Sequence, residues 1–208
     1  MILGDRESTI CTDCRHKLPV TNFHFNNDNT VKKVFYGRVK LEAATALFLF
    51  HKKGLVQQLI HNLKYRGYEK IGQSLGSWLG YELKESTLFE DVDVVIPVPL
   101  HKSKKRKRGF NQVAQFGKEI ATALNADYID DLLIKVTSTK TQVFKARLAR
   151  WSEDTSVFAV QNSNRIEGKH ILLVDDIITT GATIERCSLK LKEHNNIKIS
   201  VATMAITA

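Results

Sequence analysis

The chain has 208 residues, 43% of them hydrophobic and 25% charged, which fits a folded domain and excludes wholesale disorder, collagen-like repeats and coiled-coil rods. No run reaches the roughly 18 apolar residues of a membrane span, and the N-terminus lacks a basic region followed by an apolar one, so the cytoplasm is the expected location. The net charge of +9 points to a polyanionic partner, but six of the basic residues fall in one run, KSKKRKR, leaving +3 for everything else. Three cysteines, Cys11, Cys14 and Cys187, are too few for a disulfide framework.

In chain order, residues 1–35 hold the Cys11-x-x-Cys14 pair and an Asn/Asp run with little periodicity, and read as an irregular N-terminal segment separate from residues 36–208. The run from Ala43 to Phe50 suits a buried strand. Val56, Leu59, Ile60 and Leu63 then repeat at helical spacing up to Gly67, and Ile71, Leu75, Trp78, Leu79 and Leu83 form a second helical stripe. Val92 to Val98 is a short apolar strand whose Pro97 and Pro99 mark the exit into a loop, and the basic run is expected in that loop. Val113, Phe116, Ile120 and Leu124 predict a helix, Tyr128 to Val136 a strand, and Gln142 to Trp151 a basic helix. Ile171 to Val174 is a second buried strand, followed by a glycine turn, a helix from Thr183 to about Glu193 and a last strand over Ile197 to Ile206. Strands alternating with helices predict an α/β fold with a parallel sheet.

The chemistry concentrates in ILLVDDIITTGATIE, residues 171–185. A buried strand delivers two acids at its carboxyl end, where open α/β sheets bind ligands. The turn Thr179, Thr180, Gly181, Ala182, Thr183 then offers backbone N–H groups, hydroxyls and a helix N-terminus, a combination that holds a phosphate. Asp175 and Asp176 stand about one sugar length away, where carboxylates accept hydrogen bonds from ribose hydroxyls. The pattern describes a ribose 5-phosphate site; the alternative is an acid pair that merely caps a helix.

V-D-D-x-x-T-T-G-x-T closely resembles the phosphoribosyl pyrophosphate motif of type I phosphoribosyltransferases, and four further blocks are similar to the ComF/GntX-like family of that fold: the Cys-x-x-Cys segment ending in Leu18-Pro19, Leu63 to Gly67, Pro97 to Leu100 with the basic run and Arg108 to Gln112, and a block at Gln142. The resemblance implies a type I phosphoribosyltransferase-like sheet flanked by helices, with Asp175 and Asp176 as ribose binders and Thr179 to Thr183 as the 5′-phosphate loop. It puts Pro97, Val98, Pro99 and Leu100 beside the pyrophosphate, with Lys64 and Arg66 reaching the same polyanion, and makes Arg108, Gly109, Phe110, Asn111 and Gln112 a hood over the site. Phosphoribosyl transfer implies Mg²⁺ with phosphoribosyl pyrophosphate. Few dedicated metal ligands are then needed, because Mg²⁺ relies on substrate oxygens and water. Arg108 joins the two acids as a catalytic candidate. The acceptor's pocket is not visible.

Two departures stand out. Relatives carry two Cys-x-x-Cys pairs, whereas Cys11 and Cys14 alone do not close a tetrahedral Zn²⁺ site; His16 and His24 are the other candidate ligands. Relatives also tend to have Asn three residues after the arginine at position 150, where Glu153 stands here. Cys187 reads as an inert core thiol, and of the histidines only His61 and His101 invite a test. Lys102, Lys104, Lys105, Arg106 and Lys107 are either a solvated face, a cover over the substrate, or a contact to nucleic acid phosphates; the run contains no aromatic residue for base stacking. Two functions remain open: a phosphoribosyltransferase, or a non-catalytic competence factor that binds incoming single-stranded DNA and keeps the site for ligand sensing.

Overall fold

A computed structural model describes residues 9–136 and 157–207. Its centre is a five-stranded, fully parallel sheet in the order β1-β7-β6-β2-β3, built from β1 (Ala44–Phe50), β2 (Val94–Pro97), β3 (Asp127–Tyr128), β6 (His170–Ile178) and β7 (Lys198–Thr207). A separate antiparallel pair joins β4 (Leu133–Lys135) to β5 (Phe158–Val160). The strand expected over 128–136 is thus two short strands in different sheets. Asp130 and Asp131, polar and exposed between them, break the apolar run. The basic helix expected at Gln142 to Trp151 and the departure at Glu153 lie outside the described residues.

Helices cover both faces of the sheet because its strands are apolar on both sides. On β6, Leu172 and Val174 pack with Val56, Ile60 and Leu63 of α3 (Leu55–Tyr65), Leu75, Leu79 and Leu83 of α4 (Glu69–Lys84), and Phe116 and Ile120 of α6 (Ala114–Leu124). Ile171 and Leu173 point the other way, into a second core with Ile184, Cys187 and Leu191 of α7 (Ala182–Leu191). This alternation is the two-residue pleat of a strand. Cys187 is buried within that core. Close packing of α4 on α6 depends on Gly76, where a Cβ would stand 2.5 Å from the Phe116 carbonyl oxygen.

The N-terminal residues pack onto this core. Leu18, after α1 (Thr12–Lys17), joins the first cluster, and Val31 of α2 (Thr30–Lys33) and Phe35 join the second. Val20 makes an isolated antiparallel bridge to Phe48. The buried Asn29 side chain donates to the carbonyls of Phe23, Asn26 and Ala44, which ties the irregular segment to β1.

The basic run is not a loop but a helix, α5 (Lys102–Arg108). Its start is capped by His101, whose Nδ1 accepts from the Ser103 N–H at 3.2 Å, and it ends at Gly109, which adopts φ +86°. Lysine and arginine are good helix formers, and a glycine in the left-handed region is a common stop.

Candidate functional site

β6 does not stop at Val174. It runs through both acids to Ile178, paired with β7 from His170 to Ile178. The pleat therefore sends the neighbouring acids to opposite faces. Asp176 follows Leu172 and Val174 toward α3 and α6: its Oδ1 lies 2.8 Å from Lys64 Nζ and its Oδ2 accepts from Gln112 Nε2 at 2.5 Å. Asp175 follows Ile171 and Leu173 toward α7. It senses the charge of Lys135 on β4, and its own charge acts on the Cys187 thiol.

The two carboxyls are electrostatically unequal. Burial and the adjacent Asp176 hold the Asp175 carboxyl well above the ordinary carboxylate range, against the lowering effect of a hydrogen bond from the Asp176 N–H and of Lys64 and Lys135. Asp176 is 5% exposed, and both its oxygens have charged or polar partners.

The segment 108–112 is wired to Asp176. Gln112 donates to the acid and accepts from Arg108 Nη1, while the Arg108 guanidinium lies 5.7 Å from the ring centre of Tyr65, next to Lys64. Asn111 Nδ2 donates to the Val98 carbonyl at 3.2 Å, holding the segment against the turn after β2. That turn is anchored to β6, since Pro97 stands opposite Val174 and the Val98 N–H donates to the Val174 carbonyl at 2.9 Å. Pro99 and Leu100 follow it, partly exposed. Lys64, the 97–100 turn, 108–112 and Asp176 therefore meet at the carboxyl end of the sheet. Gly109 and Phe110 form the bend between α5 and the Asn111 contact, and Arg66 is exposed just past α3.

Beyond β6, Thr179 and Thr180 are exposed and Gly181 opens α7 with φ +76°. A Cβ at Gly181 would stand 2.8 Å from Val34 and 2.9 Å from Phe35, so both backbone and space select glycine there. Ala182 and Thr183 form the first turn of α7, whose N–H groups have no partners within the helix. The loop is braced from the stretch that follows α2. Arg38 Nη1 donates to the Thr180 carbonyl at 2.6 Å, and the same guanidinium donates through Nε and Nη2 to Glu185 Oε2 in that first turn.

The motif did not point to Arg38, Tyr65 or Lys135. Arg38 and Lys135 stand on segments without periodicity, and Tyr65 reads as a helix end. The only signal for Tyr65 lay in its place beside Lys64 in the Leu63 to Gly67 block.

The cysteines sit elsewhere. Cys11 caps α1, its Sγ accepting from the Cys14 N–H at 3.4 Å, and its hydrogen bond with Cys14 is the main cause raising the Cys14 thiol above its ordinary value. His24 is buried beside Glu82, with His24 Nε2 3.4 Å from Glu82 Oε2, whereas His16 is exposed. Among the described residues no three of His, Cys, Asp or Glu gather to hold a metal. The His61 ring lies tilted against Tyr65, 4.9 Å between centroids, and His101 is the cap of α5. Lys104, Lys105, Arg106 and Lys107 are exposed along α5. No helix among the described residues is long and apolar enough to cross a membrane.

A family model described as the phosphoribosyl transferase domain matches residues 111–206, which takes in the 108–112 segment's end, β6, the glycine turn and α7. Over 151 residues the chain is 28% identical to the DNA utilization protein YhgH of Escherichia coli O157:H7, covering 69% of this chain and 63% of that protein, so it spans less than two thirds of that relative. It is 30% identical over 144 residues to competence protein ComFC of Bacillus subtilis, covering 65% of this chain and 54% of the relative. Among solved structures, adenine phosphoribosyltransferase from Saccharomyces cerevisiae superposes with a TM-score of 0.44 at 18% identity, over 69% of this chain and 72% of that one. Residues 111–206 thus match the phosphoribosyl transferase domain, where the parallel sheet carries the acid pair into a glycine turn, and over about two thirds of its length the chain is similar to the DNA utilization and competence proteins.

Proposed function

We propose that this chain binds phosphoribosyl pyrophosphate at the carboxyl end of its sheet and transfers the phosphoribosyl group to an acceptor, releasing pyrophosphate. The observation that carries the reading is the continuity of β6, acid pair, glycine turn and α7, with Lys64 and the 108–112 segment converging on Asp176. The 5′-phosphate would lie on the N–H groups of Thr180 to Thr183, and Asp175, on the α7 face, would accept from the ribose hydroxyls. The diphosphate would face Lys64, Arg108 and the turn 97–100. Breaking the bond from C1 to the diphosphate leaves an oxocarbenium-like sugar and a highly charged leaving group, which calls for positioning and electrostatic stabilisation more than for a protein nucleophile.

Mg²⁺ fits this reading, because the acids provide hard oxygen donors next to cations suited to a diphosphate, and Asp175 is the carboxylate not locked by a lysine. When bound, the metal neutralises the leaving diphosphate. Lys64 holds the Asp176 carboxyl in place, and Gln112 transmits that position to Arg108. Calorimetric titration of phosphoribosyl pyrophosphate with Mg²⁺ tests the reading: saturable binding by the wild type, lost in a folded Asp175→Ala/Asp176→Ala variant, supports it. A folded wild type that does not bind removes it.

A second reading, of a cytoplasmic DNA-uptake factor that binds single-stranded DNA, is favoured by one feature. The aromatic that the basic run lacks in sequence is adjacent in space, since Tyr65, 70% exposed, lies under Arg108 at the end of α5. Cations tracking phosphates beside an exposed ring make a stacking platform. Under this reading, replacing Lys104, Lys105, Arg106 and Lys107 by Gln flattens the salt dependence of single-strand binding, and Tyr65→Ala weakens it. Unchanged binding in both variants removes this reading.

A further inference from the structure

We propose that Arg38 is a positioning residue for the phosphate loop, acting as an internal counter-ion that keeps the mouth of α7 receptive to an anion. This rests on the reading that the loop holds the 5′-phosphate of a phosphoribosyl ligand.

The N-terminus of α7 presents a contradiction. Partial positive charge and N–H groups without partners inside the helix favour an anion there. Yet Glu185, in the first turn, brings a carboxylate to the same end, and its own attraction to the helix end would compete with a phosphate. Arg38 resolves this. Its Nε donates to Glu185 Oε2 at 3.1 Å and its Nη2 donates to the same oxygen, forming an ion pair only partly exposed on both sides, while Nη1 reaches the Thr180 carbonyl at 2.6 Å and the Val34 carbonyl at 3.1 Å. One guanidinium therefore neutralises the competing acid and fixes a loop carbonyl as acceptor, so that Thr180 cannot turn its negative end toward the ligand. Lysine cannot reproduce this, because its ammonium lacks the planar fork that serves three acceptors at fixed angles.

The segment that carries Arg38 is held in place independently. Phe35 is buried, Val34 and Phe35 pack directly over Gly181, and the Arg38 N–H donates to the Phe35 carbonyl at 3.0 Å. The ring of Phe35 lies 6.0 Å from the guanidinium carbon. Residues 34–38 thus form one wall of the loop, and the loop's shape depends on a part of the chain outside the 111–206 domain match.

The test compares two probes that report on opposite ends of the ligand, ribose 5-phosphate and pyrophosphate, titrated calorimetrically against wild type, Arg38→Ala, Arg38→Lys, Glu185→Gln and Arg38→Ala/Glu185→Gln, with melting temperatures recorded for each. Arg38→Ala should weaken ribose 5-phosphate about 10-fold and Arg38→Lys about 3-fold, with pyrophosphate affinity unchanged; removing the acid as well should recover most of the loss. Glu185→Gln alone, which leaves Arg38 in place, should tighten ribose 5-phosphate about 2-fold, and it keeps the proposal testable if Arg38→Ala does not fold. A wild type that binds ribose 5-phosphate, with affinity unchanged in all four variants, overturns the Arg38 role alone. Equal loss of both probes in Arg38→Ala, with no recovery in the double variant, makes Arg38 a mere structural prop and also overturns it. A folded wild type that binds neither probe overturns the phosphate-loop reading, and this inference with it.

Discussion

The two ends of the sheet both carry acids next to basic groups, and they solve the problem of buried polarity in opposite ways. At the amino end, the buried His170 at the start of β6 has Nδ1 2.7 Å from Asp91 Oδ1 and Nε2 2.8 Å from Ser200 Oγ, and the Ala43 N–H donates to that same hydroxyl. The order acid, imidazole, hydroxyl matches a hydrolytic triad. Ser200 is nevertheless fully buried with its oxygen committed to a backbone N–H, so no substrate can reach it. The network joins β1, β6 and β7, and each member has a partner. At the carboxyl end, by contrast, Asp175 is held in a protonation state that burial and a like charge make costly to leave, and its neighbour is pinned by Lys64. A satisfied network points to architecture, and a frustrated one to ligand binding.

The contrast can be broken in four places. Lys64→Met leaves the buried Asp176 carboxyl without its cationic partner and should cost about 3 kcal/mol of unfolding free energy in denaturant titrations, with most of it recovered in Lys64→Met/Asp176→Asn. At the other end, His170→Ala removes the partner of the buried Ser200 hydroxyl and of the half-exposed Asp91 and leaves a cavity, for a loss of about 2 kcal/mol with ligand affinity unchanged. If phosphoribosyl pyrophosphate binding also fell, the two ends would not be independent.

Asp175→Asn goes the other way and should stabilise the protein by about 1 kcal/mol at pH 8 while weakening phosphoribosyl pyrophosphate. The sign follows from linkage. The folded-state pKa of Asp175 lies above its unfolded value, so the native state binds the extra proton, and wild-type stability falls as pH rises from about 4 toward about 8. The variant should lack that fall and gain little at pH 4. Equal gains at pH 4 and pH 8 would remove the electrostatic account. The smallest effect belongs to α5: replacing Lys104, Lys105, Arg106 and Lys107 by Gln should move stability by less than about 0.5 kcal/mol, since exposed cations contribute little.

What the sequence made legible and what it hid follow from period and distance. The helical stripes from Val56 to Leu63 and from Ile71 to Leu83 became α3 and α4, and the apolar runs became β1, β2, β6 and β7, because burial on one or both sides leaves a periodic trace. The end of β6 was hidden because charged residues look like the end of a strand. Extending the strand two residues assigns Asp175 and Asp176 to opposite faces, so the two carboxyls stand in different surroundings. Pro97 and Pro99 mark an exit into a loop and so hide α5, although the residues of the basic run favour helix. Arg38 could not be found at all, since its partners are 142 and 147 residues away.

The sheet order has a consequence for how the chain comes to be folded. β1 is made early, yet its sheet partner is β7, the last strand described, so an apolar edge must wait while everything between Phe50 and Lys198 is synthesised. At roughly 5–20 residues per second on a ribosome, that wait is roughly 7–30 s. During it residues 19–29 shield part of the strand: Val20 bridges Phe48, the Leu49 N–H donates to the Pro19 carbonyl, the Thr21 N–H donates to the Leu47 carbonyl, and the Asn29 side chain donates to the Ala44 carbonyl. A nascent chain stalled before Lys198 would therefore expose a pairing edge of AATALFLF, which makes late translational pausing the step at which this protein is most open to aggregation and to chaperone capture.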